Sequence, residues 1–333
     1  MNAGGAHLLL GLLPVSLFLV ALILLDSFKL VRHLDVARSV AAGVLAALAS
    51  LAVNVALMKA GSVSPETLSR FLGPLVEEIV KAALVVWLIR SGRIGFLVDA
   101  AIHGFAIGTG FALLENIYYA QALGNAGIGL WLVRGLGTAM MHGGATAAFA
   151  ILGKGLAGRG GAGFGVFLPG LAIAVLVHVL FNLFVLPPLV TTGLLAAAMP
   201  ILLSAVFARS ERTTRDWLGV GMDRDVEALE QILSGEVVET PVGHYLSQLR
   251  SRFPGTVVAD MLCMLRVQLE LSLRAKGMLM ARSAGIEVPP DPEVRENLTE
   301  LRYLEKAVGA VGMLALKPLL AGKERWEQEL LRG

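Results

Sequence analysis

Phe71-Leu72-Gly73-Pro74-Leu75-Val76-Glu77-Glu78-Ile79-Val80-Lys81 sets two glutamates and a lysine inside an apolar run that continues through Ala82-Ala83-Leu84-Val85-Val86-Trp87-Leu88-Ile89. A run of that length reads as a membrane-spanning helix. Each ionised side chain at bilayer depth costs roughly 2.5–3.5 kcal/mol on insertion scales, so three together call for a function that faces the interior of a helix bundle.

The rest of the chain fits that reading. Its 333 residues are 56% hydrophobic and 16% charged, with a mean hydropathy of +0.71, which is membrane-protein composition. Residues 1–208 hold 11 of the 28 Lys and Arg and 7 of the 26 Asp and Glu, and residues 209–333 hold the remainder. This predicts an all-α protein in two parts, a transmembrane catalytic domain over 1–208 and a soluble cytoplasmic helical tail over 209–333. A net charge of +2 gives no argument for nucleic acid. The single cysteine, Cys263, excludes a disulfide framework and a thiolate metal site. No Lys or Arg precedes the first apolar run, which predicts a retained first span instead of a cleaved signal peptide.

Apolar segments at roughly 8–25, 39–58, 72–90, 96–121, 129–152, 164–186 and 188–208 predict about seven spans. The links after the odd-numbered spans carry ten basic residues, against Lys59 and Arg70 after the even-numbered ones. The bias places the N-terminus outside and the tail in the cytoplasm of a multi-pass cell-membrane protein. The link at 153–163 contains Gly158, Gly160 and Gly163 in a G-x-G-x-x-G pattern. Lacking a strand before it and a βαβ unit around it, it reads as a flexible loop. In the tail, helices are expected over about 223–234 and 255–282 and again after Pro292, with His244 isolated and no phosphate motif.

Few polar residues remain inside the spans: Glu77, Glu78 and Lys81 in the third, Glu115 and Asn116 in the fourth, His142 in the fifth, and His178 and Asn182 in the sixth. At 1.5 Å of rise per residue, Glu78 and Glu115 lie roughly 9 Å from the outer ends of their spans, His178 roughly 12 Å, and His142 roughly 12–20 Å depending on whether Arg134 marks the interface. Antiparallel helices thus bring their polar residues to one level. Glu77 and Lys81, four apart, share a face, so the lysine can offset a buried carboxylate, while Glu78 points about a third of a turn away. One glutamate is then expected to be ion-paired and the other to touch water. His178 and Asn182 also share a face and can donate to a developing oxyanion. Glutamate with histidine can activate water against a carbonyl; two histidines and a glutamate can equally bind zinc, with a second glutamate as base. His103, twelve residues from Glu115, is too distant to join them and is read with Asp99 as an interfacial pair.

In order, Glu77-Glu78-Ile79-Val80-Lys81, Phe111-Ala112-Leu113-Leu114-Glu115-Asn116, His142 and His178-Val179-Leu180-Phe181-Asn182 resemble the four motifs of the PrsW family of intramembrane proteases, distant relatives of the CAAX prenyl endopeptidases. Those relatives carry Glu-Glu-x-x-x-Arg and a histidine four residues after the phenylalanine; Lys81 and Glu115 stand in this sequence, which favours the PrsW branch. The resemblance spans roughly residues 70–185. It implies cleavage of single-pass membrane substrates near the outer face, anti-sigma-factor-like in some members. It makes Glu77, Glu78, Glu115, His142 and His178 the catalytic positions, with Lys81, Asn116 and Asn182 in support. His142, His178 and Glu115 are the candidate zinc ligands, with a metal-free mechanism as the alternative. The substrate and the bilayer are the expected partners, with a cytoplasmic partner for the tail. A competing reading is a proton- or cation-coupled transporter using the same Glu and His relay, for which an internal repeat would be expected.

Overall fold

The computed structural model describes residues 3–61, 63–122, 127–158, 163–286, 288–289, 291–320, 327 and 331. Among the described residues the chain is helical, with no strand. Residues 159–162 of the glycine-rich link lie outside them, as does Pro290 in the Pro289–Pro292 break.

The helices that matter for the site are α1 (Ala3–Leu24), α2 (His33–Lys59), α3 (Gly73–Arg90), α4 (Leu97–Ala122), α5 (Ala139–Ala157), α6 (Leu168–Asn182) and α7 (Pro188–Ser234). Among the described residues four stretches are long and apolar enough to cross a membrane by length and composition: α2, α4, Phe164–Asn182 and α7; Leu9–Leu24 is a shorter apolar helix. The predicted third span is α3, whose 18 residues include Glu77, Glu78, Lys81 and Arg90. The predicted fifth span is divided into a short helix at Ile128–Leu132, a π-helical turn at Val133–Thr138, and α5. A second π turn, Leu68–Leu72, leads into α3.

The central helix is α4, buried continuously from Val98 to Ala112. Small residues allow this. A Cβ on Gly104 would lie 2.8 Å from the Ala147 Cα, and one on Gly108 would collide with the His142 carbonyl. The G-x-x-x-G pair thus serves to bring α5 against α4 backbone to backbone. Around it Val15, Leu19, Ile102, Phe105, Met140 and Leu203 form the main apolar core. The same packing orients polar residues off the site. His103 Nδ1 is 2.8 Å from the Ser39 hydroxyl, and Asp99 accepts from the Phe96 N–H at 3.0 Å, closing the start of α4.

The chain divides into two compact units, one of residues 1–90 and 96–211 and the other of 91–95 and 212–333. In the second, α8 (Pro241–Leu249), α9 (Gly255–Ser283) and α10 (Pro292–Leu316) enclose Met261, Met264, Leu265, Leu298, Leu301 and Leu304. Lys276 is held by the Asp225 carboxylate at 2.8 Å and the Gly221 carbonyl at 2.7 Å. The separate helix expected over 223–234 is the end of α7, which runs 47 residues. Between 209 and 222 the sequence holds no proline, and its glycines, Gly219 and Gly221, weaken a helix without ending it.

Candidate active site

The stretch that opens α3 is positioned by its entry. The π turn at Leu68–Leu72 accommodates one more residue per turn than an α-helix and leaves a carbonyl, that of Ser69, to accept from the Asn182 amide at 3.1 Å. From there Glu77 and Glu78 diverge. Glu78 is 2% exposed and its Oε1 receives the Lys81 ammonium at 2.5 Å and His178 Nδ1 at 2.8 Å. Glu77 is 19% exposed and lines a cavity of about 990 Å³. The pairing with Lys81, which spacing alone leaves open between the two glutamates, is therefore the one three residues apart. Both spacings put side chains on one helix face, and the approach of His178 to Glu78 decides between them.

Lys81 is fully enclosed, lies 4.7 Å from the centroid of the Phe111 ring, and reaches His142 Nδ1 at 3.1 Å. An ammonium has only donors to offer, so Nδ1 accepts and the proton of the imidazole sits on Nε2. That Nε2 donates to Glu115 at 3.0 Å. Glu115 also faces Arg134, whose guanidinium nitrogen is 3.4 Å away. On the other histidine, Nδ1–H donates to Glu78, which leaves the Nε2 lone pair turned toward Glu77 at 3.8 Å. The two imidazole rings meet edge to face, with centroids 4.8 Å apart.

These contacts bring together Glu77, Glu78, Lys81, Glu115, His142 and His178. Asn182 lines the cavity, its amide nitrogen occupied by Ser69. Asn116 is placed elsewhere: it is 1% exposed and donates to the Gly11 carbonyl at 2.8 Å, tying α4 to α1. Its neighbour Glu115 faces the cavity because consecutive residues are turned about 100° on a helix.

Arg134, whose place at the interface the sequence left open, belongs to the cavity wall. It stacks on Tyr119 at 3.6 Å, its Nη2 makes the ion pair with Glu115, and its Nε lacks a hydrogen-bond partner among the described residues. The signal was available: an arginine inside an apolar segment, near the level of the glutamates. The π turn that carries it has no such signature.

One ligand atom each from Glu77, His142 and His178 lie within 4.8 Å of one another. A His₂Glu set is a known catalytic zinc donor set, and the Glu78 carboxylate behind His178 is the outer-shell partner that such ligands commonly have. Formal charge points the same way. Three carboxylates, Glu77, Glu78 and Glu115, face two fixed cations, Lys81 and Arg134, and the excess negative charge favours a bound cation. Of the ligands named from the sequence, the cluster contains both histidines, and its carboxylate is Glu77, with Glu115 hydrogen-bonded to His142 beside it.

A family model described as PrsW family intramembrane metalloprotease matches residues 34–208, more than half of the chain and the whole of the region that builds this cavity's helical walls from α2 to α6. No curated protein and no solved structure matches.

Proposed function

The chain belongs to the PrsW family of intramembrane metalloproteases, and from that premise we propose that it hydrolyses peptide bonds of single-pass membrane proteins near the outer face of the bilayer. The observation that carries the reading is the meeting of Glu77, His142 and His178 on a cavity wide enough for a peptide segment. Family membership implies a protein substrate and a multi-pass membrane setting. The charge bias of the loops supports seven spans with the N-terminus outside and the tail, residues 209–333, in the cytoplasm.

Each side chain has a task. Glu77, His142 and His178 would hold a divalent metal, zinc by the chemistry of the set. When bound, the metal supplies acidification of water and polarisation of the scissile carbonyl. Glu78 holds His178 through Nδ1 and keeps Nε2 free for binding. Lys81 neutralises Glu78; for His142 to join the metal its Nε2 proton, given to Glu115 in this structure, must move to Nδ1 with the Lys81 ammonium turned away, which frees the Nε2 lone pair. Glu115, the remaining carboxylate on the cavity, takes the proton from the attacking water and returns it to the leaving amine. Arg134 holds Glu115 in place through Nη2, and its Nε–H, without a hydrogen-bond partner among the described residues, can face a developing oxyanion.

The test is cleavage of a panel of single-pass proteins by purified enzyme in liposomes, with metal content measured alongside. Glu77→Gln is expected to lose both metal and cleavage. Glu115→Gln keeps the metal and loses cleavage, and His178→Ala loses both. Cleavage retained by all three variants would rule out the assigned site.

A further inference from the structure

Two polar side chains on the cavity wall have no part in the chemistry above. Ser50 and Asn54 lie four residues apart on α2, and both line the cavity. Ser50 is 1% exposed. Its Oγ and the Asn54 Oδ1 are buried without a hydrogen-bond partner among the described residues. A serine inside a helix commonly returns its hydroxyl to the carbonyl one turn earlier, and this one does not. Buried polar atoms in folded proteins nearly always find partners, so two orphans on one face of one helix ask for an explanation.

Their place supplies it. A Cβ on Gly73 would lie 3.6 Å from the Asn54 amide nitrogen, and Gly73 is one helical turn before Glu77. Both Gly73 and Glu77 line the cavity. The Ser50–Asn54 strip therefore belongs to the same cavity wall as Glu77, one of the proposed metal ligands.

A membrane-spanning substrate arrives with its peptide groups hydrogen-bonded within its own helix. Water reaches a scissile carbonyl only after a turn is opened, and the freed N–H and C=O groups then need partners in surroundings that hold little water. Four residues of α2 rise about 6 Å; alternate residues of an extended chain repeat at about 6.6 Å. The two spacings match closely enough for one extended segment to meet both side chains. Asn54 Oδ1 can only accept, and the Ser50 hydroxyl can donate or accept.

We propose that Ser50 and Asn54 are positioning residues that hold the unwound main chain of the substrate beside Glu77, Asn54 accepting an N–H and Ser50 engaging the main-chain group two residues along. The proposal rests on the protease reading above. It means that the strip acts on the helix-to-extended transition of the substrate and leaves the metal-binding residues untouched.

The experiment uses full-length enzyme in liposomes and the single-pass fusion protein that the wild type cuts best, alongside the same fusion with a Gly-Gly pair placed next to the scissile bond. Ser50→Ala with Asn54→Ala should slow cleavage of the unmodified fusion about 10–100-fold, as expected for two lost hydrogen bonds. The Gly-Gly fusion, whose helix is already weakened, should be cut at near the wild-type rate, with metal content unchanged. Ser50→Thr, which keeps the hydroxyl, should behave as wild type on both. An equal loss on both fusions, or no loss on either, overturns the proposal; Glu77→Gln inactive in the same assay then leaves the protease reading standing. A wild type that cuts no member of the panel fails the protease reading, and this inference falls with it.

Discussion

Lys81 donates to Nδ1 of His142 across 3.1 Å while its charge is balanced by Glu78, so a single buried ammonium both neutralises one motif and sets the proton position of another. Lys81→Met removes the cation and leaves Glu78 as an enclosed, uncompensated charge. Breaking such a pair costs about 3–5 kcal/mol, which should appear as a marked fall in unfolding temperature in detergent, together with loss of cleavage. Adding Glu78→Gln to Lys81→Met removes the orphan charge and should recover much of the stability without recovering activity. A double variant no more stable than the single one would contradict the pairing.

Glu78 is expected to act at one remove from the chemistry. Glu78→Gln keeps the shape of the side chain but weakens its hold on His178 Nδ1. Loss of an outer-shell carboxylate typically costs 10–100-fold in metal affinity or activity. Metal titration should therefore show weakened binding, where Glu77→Gln shows none. Identical metal affinities for the wild type and Glu78→Gln would remove Glu78 from this role.

Gly108 predicts a steric effect at a distance from any ligand. An alanine there meets the His142 backbone and must push α5 away from α4. Overpacking of this kind costs about 1–3 kcal/mol, and the displacement carries His142 with it, so activity should fall more than stability alone explains. Gly193, in α7 with nothing within 4 Å of an added Cβ, is the control. Gly193→Ala should raise stability by about 0.5–1 kcal/mol through helix propensity. The comparison is made by unfolding temperature and cleavage rate on the same preparations.

In the second unit, Leu301 is 1% exposed within the α8–α10 core. Leu301→Ala should cost about 2–5 kcal/mol, the range for a buried leucine truncated in a packed interior. Amide hydrogen exchange of residues 255–316 is the direct measure. Unchanged protection in α9 and α10 would mean that this core does not stabilise the unit.

Much of this was legible because lipid makes polar residues expensive. Glu77, Glu78, Glu115, His142 and His178 stood out against apolar runs, and antiparallel helices put them at one depth. The all-helical build and the family followed from the same few positions. What stayed hidden depended on packing. The choice of Glu78 over Glu77 as the partner of Lys81 turns on a histidine 100 positions away in sequence. Asn116 looked like a neighbour of Glu115, but a helix turns adjacent residues to different sides. Arg134 entered only as the residue that would set the depth of His142 if it marked the interface, and nothing in its spacing tied it to Glu115. The π turns have no composition that marks them, since their wider backbone is set by what surrounds them.

The turn at Leu68–Leu72 has one further effect. A π turn holds one residue more than the α-helical path it replaces, so it sets the rotational phase of everything after it. Consecutive residues on a helix differ by about 100°, and that is the angular difference between Glu77 and Glu78. Removing a single residue from Leu68–Leu72 would relax the turn to the α-helical path and keep Glu77 in place, whereas removing one between Gly73 and Val76, beyond the turn, would advance the helix by one step and present Glu78 where Glu77 now stands. The division of labour between two chemically identical neighbours is in this sense a question of helical timing, decided one turn upstream of both.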